Sequence, residues 1–405
     1  MNSLPSGRSP RRPSRPAGSA PRVGDLCRVM EEIAPSWTAA EWDNVGLLAG
    51  DAGWPAERLL LTIDLTPMVL AEARLRRIQV IIAYHPPLFR PVKRLLADPT
   101  DSAGLAAWAM AEKIAVYSPH TALDAAPGGT NDVLAELCGL TEVEPFERSS
   151  GATRRCKLVV FVPPNDVDRV ADAVFAAGGG RIGAYEKCSF RLRGEGTFFG
   201  SDSTHPVVGQ RGRLERIDEI RLEVVFPEAR LPDMVAAVRR SHPYEEPAFD
   251  VYPLQPTPDG RHGQGRIGRF AKPVTLPQLV KRLATATGAR HIAYVEPSAA
   301  GHSARRPGGR LYTRGLVCVG AAGSWPFEAA GQRCGPGDVV ITGEIRHHDA
   351  LRYQRLGVAA VALGHWASER PSLPPLADRL RRMLPGVSVR VSQADADPFR
   401  PMSRT

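Results

Sequence analysis

The sequence predicts an α/β fold with a ferredoxin-like α+β domain inserted into it, on three observations. In the first third of the chain, short apolar runs without polar alternation, the mark of strands covered on both faces, take turns with helical patterns. The same alternation resumes from Leu276. Between them, from about Cys156 to Leu254, two β-α-β halves make a self-contained unit of about 100 residues. The expected layout is a basic tail over residues 1–22, a first α/β lobe over 23–150, the inserted domain over 155–255 and a second α/β lobe over 265–400.

Each element has its own justification. Val23, Leu26, Val29, Met30 and Ile33 recur at helical spacing, so Val23–Ile33 is an amphipathic helix. Leu59–Ile63 reads as a strand, Pro67–Arg76 as a helix and Gln79–Tyr84 as a nearly continuous apolar strand. A helix over Ala103–Glu112, a short strand over Ile114–Tyr117 and a helix from Asn131 complete the first lobe. In the insertion, strands over Leu158–Val162, Ile220–Phe226 and Phe249–Tyr252 alternate with helices over Val167–Ala177 and Leu231–Arg240. Its flanks, Glu147–Thr153 and Gln255–Gln264, are polar and read as linkers. The second lobe has helices over Leu276–Thr287 and His347–Leu356. Its strands span His291–Val295, Leu316–Val319, Val339–Thr342 and Val358–Leu363, and the basic, Gly-rich segment Gly301–Arg314 reads as a mobile loop.

Composition narrows the function. With 43% hydrophobic residues among 405, a sizeable core is available, and no run approaches the roughly 20 apolar residues that span a bilayer. The net charge of +9 suggests a nucleic-acid partner until it is mapped. Five arginines and no acid lie in residues 1–22, so the body is close to balanced and nucleic acid is not the expected partner. That Pro/Ser/Gly/Arg-rich tail is expected to be disordered, either a plain solvated tail or a polyanion-binding or targeting arm, and its deletion is expected to leave melting temperature and oligomer size unchanged. It has no apolar stretch of secretory type. Six scattered cysteines without a C-x-x-C pair suit reduced thiols in the cytoplasm.

Chemistry gathers at strand ends. His85 follows the strand Gln79–Tyr84; His120 follows Ile114–Tyr117, with Asp124 four residues on; His365 follows Val358–Leu363, with Glu369 four residues on. In open α/β sheets functional groups collect beyond the carboxyl ends of strands, and a spacing of four within a helical turn points two side chains the same way. Imidazoles and carboxylates without thiolates suit Zn²⁺, Mn²⁺, Fe²⁺ or Ni²⁺. Trp42, Asn44 and Gly46 shape a turn beside this edge, and His348 with Asp349 either orients ligands from behind or sits on a surface helix.

Several longer motifs carry a family resemblance. Glu41–Leu48 (EWDNVGLL), Tyr84–Phe89 (YHPPLF), His120–Gly129 (HTALDAAPGG), Thr342–Asp349 (TGEIRHHD) and Gly364–Glu369 (GHWASE) resemble, in order, the motifs of the NIF3-like family, also called GTP cyclohydrolase 1 type 2 homologues. His242–Ala248 (HPYEEPA) resembles the signature of the inserted domain in the longer members. The resemblance implies two α/β lobes around a dinuclear metal cleft, in a ring-shaped homohexamer with the inserted domain at its openings. It also implies His85, Asp124, His365 and Glu369 as ligands of two divalent ions per subunit, Asp124 and Glu369 bridging them. Many members carry two consecutive histidines where this chain has Tyr84-His85, so one of the two metal positions is expected to be weaker.

Two functions fit these residues. One is a metal-dependent hydrolase of a small, nucleotide-like molecule, with His120 moving a proton and His348 assisting. The other is a metal-stabilised scaffold or regulatory protein that binds a partner or effector.

Overall fold

The computed structural model describes residues 20–96, 98, 100–150, 154–255, 258–297, 309–328 and 334–400. These residues separate into two compact units, one built from the chain up to Ser149 and again from Asp259, the other from Ser150–Pro258.

The first unit holds two sheets. In one, β2 (Arg58–Thr62), β3 (Val80–Ala83) and β4 (Ala115–Ser118) run parallel, with β1 (Gly46–Ala49) antiparallel at one edge and β15 (Ser388–Val391) parallel at the other, in the order β1-β4-β3-β2-β15. Alternate residues of the central strands feed two cores. Leu59, Leu61, Val80 and Ile82 pack with helices α1 (Val23–Ile33) and α12 (Leu373–Met383). Leu60, Ile81 and Val116 pack with α2 (Pro67–Leu75) and α3 (Ser102–Ala111). This two-sided burial is why those strands read as unbroken apolar runs.

The second sheet has the order β11-β14-β13-β12-β10-β5. Its parallel centre is β12 (Tyr312–Ala321), β13 (Asp338–Glu344) and β14 (Ala359–Ala362). β11 (Ala293–Val295) is antiparallel to β14 and β10 (Pro258–Val274) to β12, and β5 (Leu140–Ser150) forms the far edge. Helices α5 (Thr130–Cys138) and α8 (Leu276–Thr287) cover one face. The short α9 (Trp325–Glu328) and α10 (His347–Arg355) contribute Phe327 and Tyr353 to the other. Two further short helices, α4 (His120–Ala125) and α11 (His365–Glu369), begin at the strand-end histidines themselves.

The two sheets exchange segments. α12 and β15, late in the sequence, complete the first sheet, while α5 and β5, before the insertion, complete the second. Both segments read as linkers flanking the insertion also differ from expectation, since residues 147–150 belong to β5 and 258–264 to β10. Polar strand segments pair through backbone and need no apolar pattern. A Cβ at Gly263 would lie 2.2 Å from the Glu147 carbonyl oxygen, so that backbone approach admits only glycine. Of the segment read as a mobile loop, 312–314 lie in β12 and 301–308 fall outside the described residues.

The second unit is a β-α-β-β-α-β arrangement: β6 (Arg155–Val162), α6 (Val167–Ala176), β7 (Phe190–Phe199), β8 (Leu214–Pro227), α7 (Leu231–Ser241) and β9 (Phe249–Pro253). Its strands form an antiparallel sheet in the order β7-β8-β6-β9, the ferredoxin-like order, with Val170, Val174, Met234 and Val238 of the helices on one face. His242 is a packing residue here: Nε2 lies 2.9 Å from the Phe161 carbonyl oxygen, and Nδ1 accepts from the Tyr244 amide at 3.1 Å.

No helix among the described residues is long and apolar enough to cross a membrane, and all six cysteines are free. Residues 1–19 lie outside the described residues, but the tail as read to residue 22 overreaches. Pro21 accepts from the Ala56 amide (2.8 Å), the Arg22 amide donates to Asp25 (2.9 Å), and the Arg22 guanidinium donates to the Gly53 carbonyl (2.8 Å). Truncation through Arg22 is therefore expected to cost about 1–2 kcal/mol of stability, and truncation through residue 19 nothing measurable. Denaturant unfolding of the two truncations checks this; equal midpoints would refute it.

Candidate metal centre

Two strand-end histidines and the carboxylate that closes a short helix come together in the first unit. His85 is the second residue after β3, and its amide bonds to the Ile63 carbonyl (3.0 Å), which extends the β2–β3 ladder and fixes the ring's starting point. His365 opens α11 and Glu369 closes it, one helical turn on. Glu369 is 2% exposed. His365 Nε2 lies 3.2 Å from Glu369 Oε1, and His85 Nε2 lies 3.3 Å from Glu369 Oε2. One donor atom from each of the three falls within 4.8 Å of the others.

Two carboxylates outside this trio orient its imidazoles. Asp64 Oδ1 lies 2.9 Å from His85 Nδ1, and Glu344 Oε1 lies 3.4 Å from His365 Nδ1. Carboxylates behind ligating imidazoles fix the tautomer and make the ring more basic. Burial pushes the His85 imidazole down, but hydrogen bonds and charge from Asp64 and Glu369 overcome it and raise the pKa to about 10. For His365 the Glu369 hydrogen bond acts first and the net shift is upward. Burial pushes the Glu369 carboxyl up, yet the two imidazoles hold it below the ordinary glutamate range. The pocket thus favours positive charge.

Glycines leave the space. Gly320, at φ +65°, sits where an added Cβ would be 2.8 Å from Glu369 Oε1 and 3.5 Å from His365 Nε2. A Cβ at Gly343 would be 2.9 Å from the His365 Cα. Ser368 ties this backing together, accepting from the Gly320 amide (3.0 Å) and donating to the His365 carbonyl (2.8 Å).

Asp124 stands outside the close trio. It is buried in α4, and its Oδ1 accepts a 2.5 Å hydrogen bond from the Tyr84 hydroxyl. Burial raises its pKa to about 6, against the Tyr84 bond and the nearby His120 charge. Tyr84 itself is 1% exposed, and burial together with the Asp124 and Glu369 charges drives its phenol well above the usual range, so it stays a neutral donor.

His120 completes the site. Its Nδ1 lies 2.8 Å from Asp43 Oδ1, and its ring centroid lies 5.5 Å from those of both His85 and Tyr84. Asp43 is held on every side. Oδ1 also accepts from the Asn44 amide (2.7 Å), and Oδ2 accepts from the Thr121 amide (3.1 Å) and the Thr121 hydroxyl. Burial pushes its carboxyl up, and the His120 and Thr121 hydrogen bonds more than reverse that. Trp42 and Phe89, exposed with ring centroids 5.8 Å apart, flank His120 at 6.0 and 6.4 Å. His348 lies exposed on the first turn of α10 with its ring 5.5 Å from His347, and no hydrogen bond or ion pair joins it to the trio among the described residues.

The profile of the family described as Duf34/NIF3 (NGG1p interacting factor 3) matches residues 21–398. The chain belongs to that family. Relatives named GTP cyclohydrolase 1 type 2 homolog include one from Mycobacterium tuberculosis, 34% identical over 380 residues (93% of this chain and 96% of the relative), and one from Bacillus subtilis, 32% identical over 381 residues (92% and 97%). Among solved structures, a Bacillus cereus protein related to NIF3 is 29% identical with a TM-score of 0.62 over 95% of this chain and all of that one. A Staphylococcus aureus protein at 23% identity shares the fold, with a TM-score of 0.73 over 95% and 99%.

In this NIF3-family chain, Asp43, Asp64 and Glu344 are carboxylates of the site that sequence reasoning passed over. Asp64 was within reach of the strand-end rule, since it stands after β2 as His85 stands after β3. Asp43 lies inside a quoted motif, but nothing local marks a carboxylate whose partner is 77 residues away.

Proposed function

We propose that this protein is a metal-dependent hydrolase of a small, nucleotide-like molecule, holding up to two divalent ions per subunit. One observation carries the reading. Glu369 Oε2 is buried without an aligned hydrogen-bond partner between two imidazoles, in a cradle that a single Cβ at Gly320 would fill. With only the His85 Nε2 near it among the described residues, at 3.3 Å, that buried carboxylate oxygen gains from a cation, and the His₂Glu donor set fits Zn²⁺, Fe²⁺, Mn²⁺ or Ni²⁺. His85, His365 and Glu369 would hold the first ion, and Asp124 is the donor nearest to hand for a second. A divalent ion supplies Lewis acidity to a carbonyl or phosphoryl oxygen and makes water more acidic. The chain's own residues do the rest. His120, with its Nδ1–H donated to Asp43, presents Nε2 to take up and return a proton. Trp42 and Phe89 offer apolar faces against which a flat base can stack. His348 is left out of this machinery.

The relatives' printed name makes guanosine triphosphate the first substrate to try. Purified protein should be assayed for bound metal and then screened for hydrolysis of nucleotides and phosphoesters, beside protein stripped with chelator. Turnover by the loaded protein alone is the expected result. Stoichiometric metal with no turnover across the screen would leave the scaffold reading in its place. We also propose the ring-shaped homohexamer, for which sedimentation analysis is the direct test.

Tyr84 makes a separate prediction. Its hydroxyl occupies the Asp124 oxygen that a second ion would need. One tight and one weak metal equivalent per subunit are expected, and Tyr84→His should tighten the weak one by at least about tenfold. Two equally tight equivalents, unmoved by the substitution, would show that the phenol does not limit the second position.

A further inference from the structure

We propose that Asn131 is a positioning residue that sets the separation of the two metal positions, by tying the backbone of Asp124 to the strand end that backs Glu369. The inference rests on the two-ion reading given above. Asn131 stands in the first turn of α5. Its Nδ2 donates to the Asp124 carbonyl at 3.0 Å, and its Oδ1 accepts from the Val319 amide at 3.0 Å. A backbone carbonyl can only accept and a backbone N–H can only donate, so these two partners fix which way round the side-chain amide stands.

The two ends of that amide reach different parts of the site. Asp124 belongs to α4, which follows β4 of the first sheet, and is the donor assigned to the second ion. Val319 belongs to β12 of the second sheet, one residue before Gly320, whose missing Cβ leaves room beside Glu369 Oε1. From there the tether continues: the Gly320 amide donates to the Ser368 hydroxyl (3.0 Å), which donates to the His365 carbonyl (2.8 Å). Asn131 and Ser368 are each 1% exposed, so solvent does not compete for these bonds. A buried path therefore runs from the backbone of Asp124 to that of His365, from one metal position to the other.

The local sequence is built for this reach. A Cβ at Gly129 would lie 1.8 Å from the Leu123 carbonyl oxygen and 2.8 Å from that of Ala126, so only glycine lets the start of α5 lie so close to the backbone of α4. That approach brings a side chain as short as Asn131 within reach of Asp124, and it gives a task to the Gly-Gly end of the HTALDAAPGG motif, which the metal chemistry leaves unused. Asparagine is the residue type required: aspartate would accept from Val319 but set an oxygen against the Asp124 carbonyl, and leucine would serve neither. The Tyr84 hydroxyl holds the other end of the same residue, at Asp124 Oδ1 (2.5 Å). Ions that act as a pair sit about 3.5–4 Å apart, and a site tolerates displacements of only about 0.5 Å, so the placing of this backbone decides whether the second position forms.

Calorimetric titration of the chelator-stripped, full-length protein with Mn²⁺ tests this, followed by electron paramagnetic resonance at saturating metal. In the parent, two unequal equivalents and the signal of a spin-coupled pair are expected. Asn131→Asp keeps the side chain's volume and the Val319 bond, and Asn131→Ala removes both bonds without burying a charge. Each should weaken the second equivalent by about tenfold or more, leave the first within threefold, and replace the coupled signal with that of isolated Mn²⁺. A lowered melting temperature with both affinities and the coupled signal unchanged, or both equivalents weakened alike, would overturn the role of Asn131 and leave the two-ion reading standing. A single equivalent in the parent would overturn both.

Discussion

Glu369→Gln is expected to weaken binding of the first divalent ion by at least about 100-fold without unfolding the protein. Losing an outer partner of a metal ligand already costs about 10–100-fold, and Glu369 is in the inner position. The amide keeps the side chain's volume in a place only 2% exposed, so packing is conserved. What goes is the negative charge between His85 and His365, and one oxygen becomes an N–H donor facing an imidazole nitrogen. Gly320→Ala attacks the same cradle from the opposite side. Its Cβ would press on Glu369 Oε1 at 2.8 Å, and its φ of +65° costs a non-glycine residue about 1–2 kcal/mol. Calorimetric titration of chelator-stripped protein with Zn²⁺ reads both, with circular dichroism to check folding. Affinity within threefold of the parent in either folded variant would mean the ion is held elsewhere.

How much of this was legible in the sequence depended on whether a residue's role was local. α1 and α8 begin and end where the pattern placed them. The amphipathic period sets α1, and the Thr275/Gln278 capping box with Gly288 in left-handed conformation sets α8. The central strands were legible because both faces are buried. β7 was not: FRLRGEGTFF is exposed almost throughout and carries no apolar signal, and β15 is a four-residue strand whose place beside β2 depends on a parallel pairing across more than 300 residues. The segment exchange between the sheets is a topological fact that no local pattern encodes. The site divides in the same way. Strand-end placement made His85, His120 and His365 candidates and helical spacing did so for Glu369, and the structure sets His85, His365 and Glu369 together with His120 beside them. Helical spacing also grouped Asp124 with them, but that its Oδ1 meets the Tyr84 hydroxyl depends on a residue 40 positions earlier in the chain. His348 follows a strand end like the others, yet its helix turns it to solvent.

Asp43→Ala is expected to lower the turnover of the metal-loaded protein by about 10²–10³-fold, and to lower it no further once His120 has been replaced by alanine. A positioned general acid–base group contributes about 10²–10⁴-fold, so His120→Ala alone should fall in that range. Asp43 touches no open part of the site. Its four hydrogen bonds run to His120, Asn44 and Thr121, and its side chain is fully enclosed, so its influence on chemistry must pass through the imidazole it orients. Groups that act as one unit are not additive, and the double variant should match His120→Ala. His120 is itself held at φ +26°, a conformation that non-glycine residues seldom adopt, and neighbouring Thr121 is bound to the same carboxylate. Loss of Asp43 therefore frees both the ring and the turn that presents it. Nitrogen-15 spectra of the histidine rings separate the two consequences. With Asp43 present, His120 should be locked as the Nδ1–H tautomer; with alanine there, it should average over both tautomers even where the protein remains folded and binds the first ion unchanged. Multiplicative losses in the double variant, or a tautomer that does not respond to Asp43, would mean that the carboxylate acts on the site by some route other than His120.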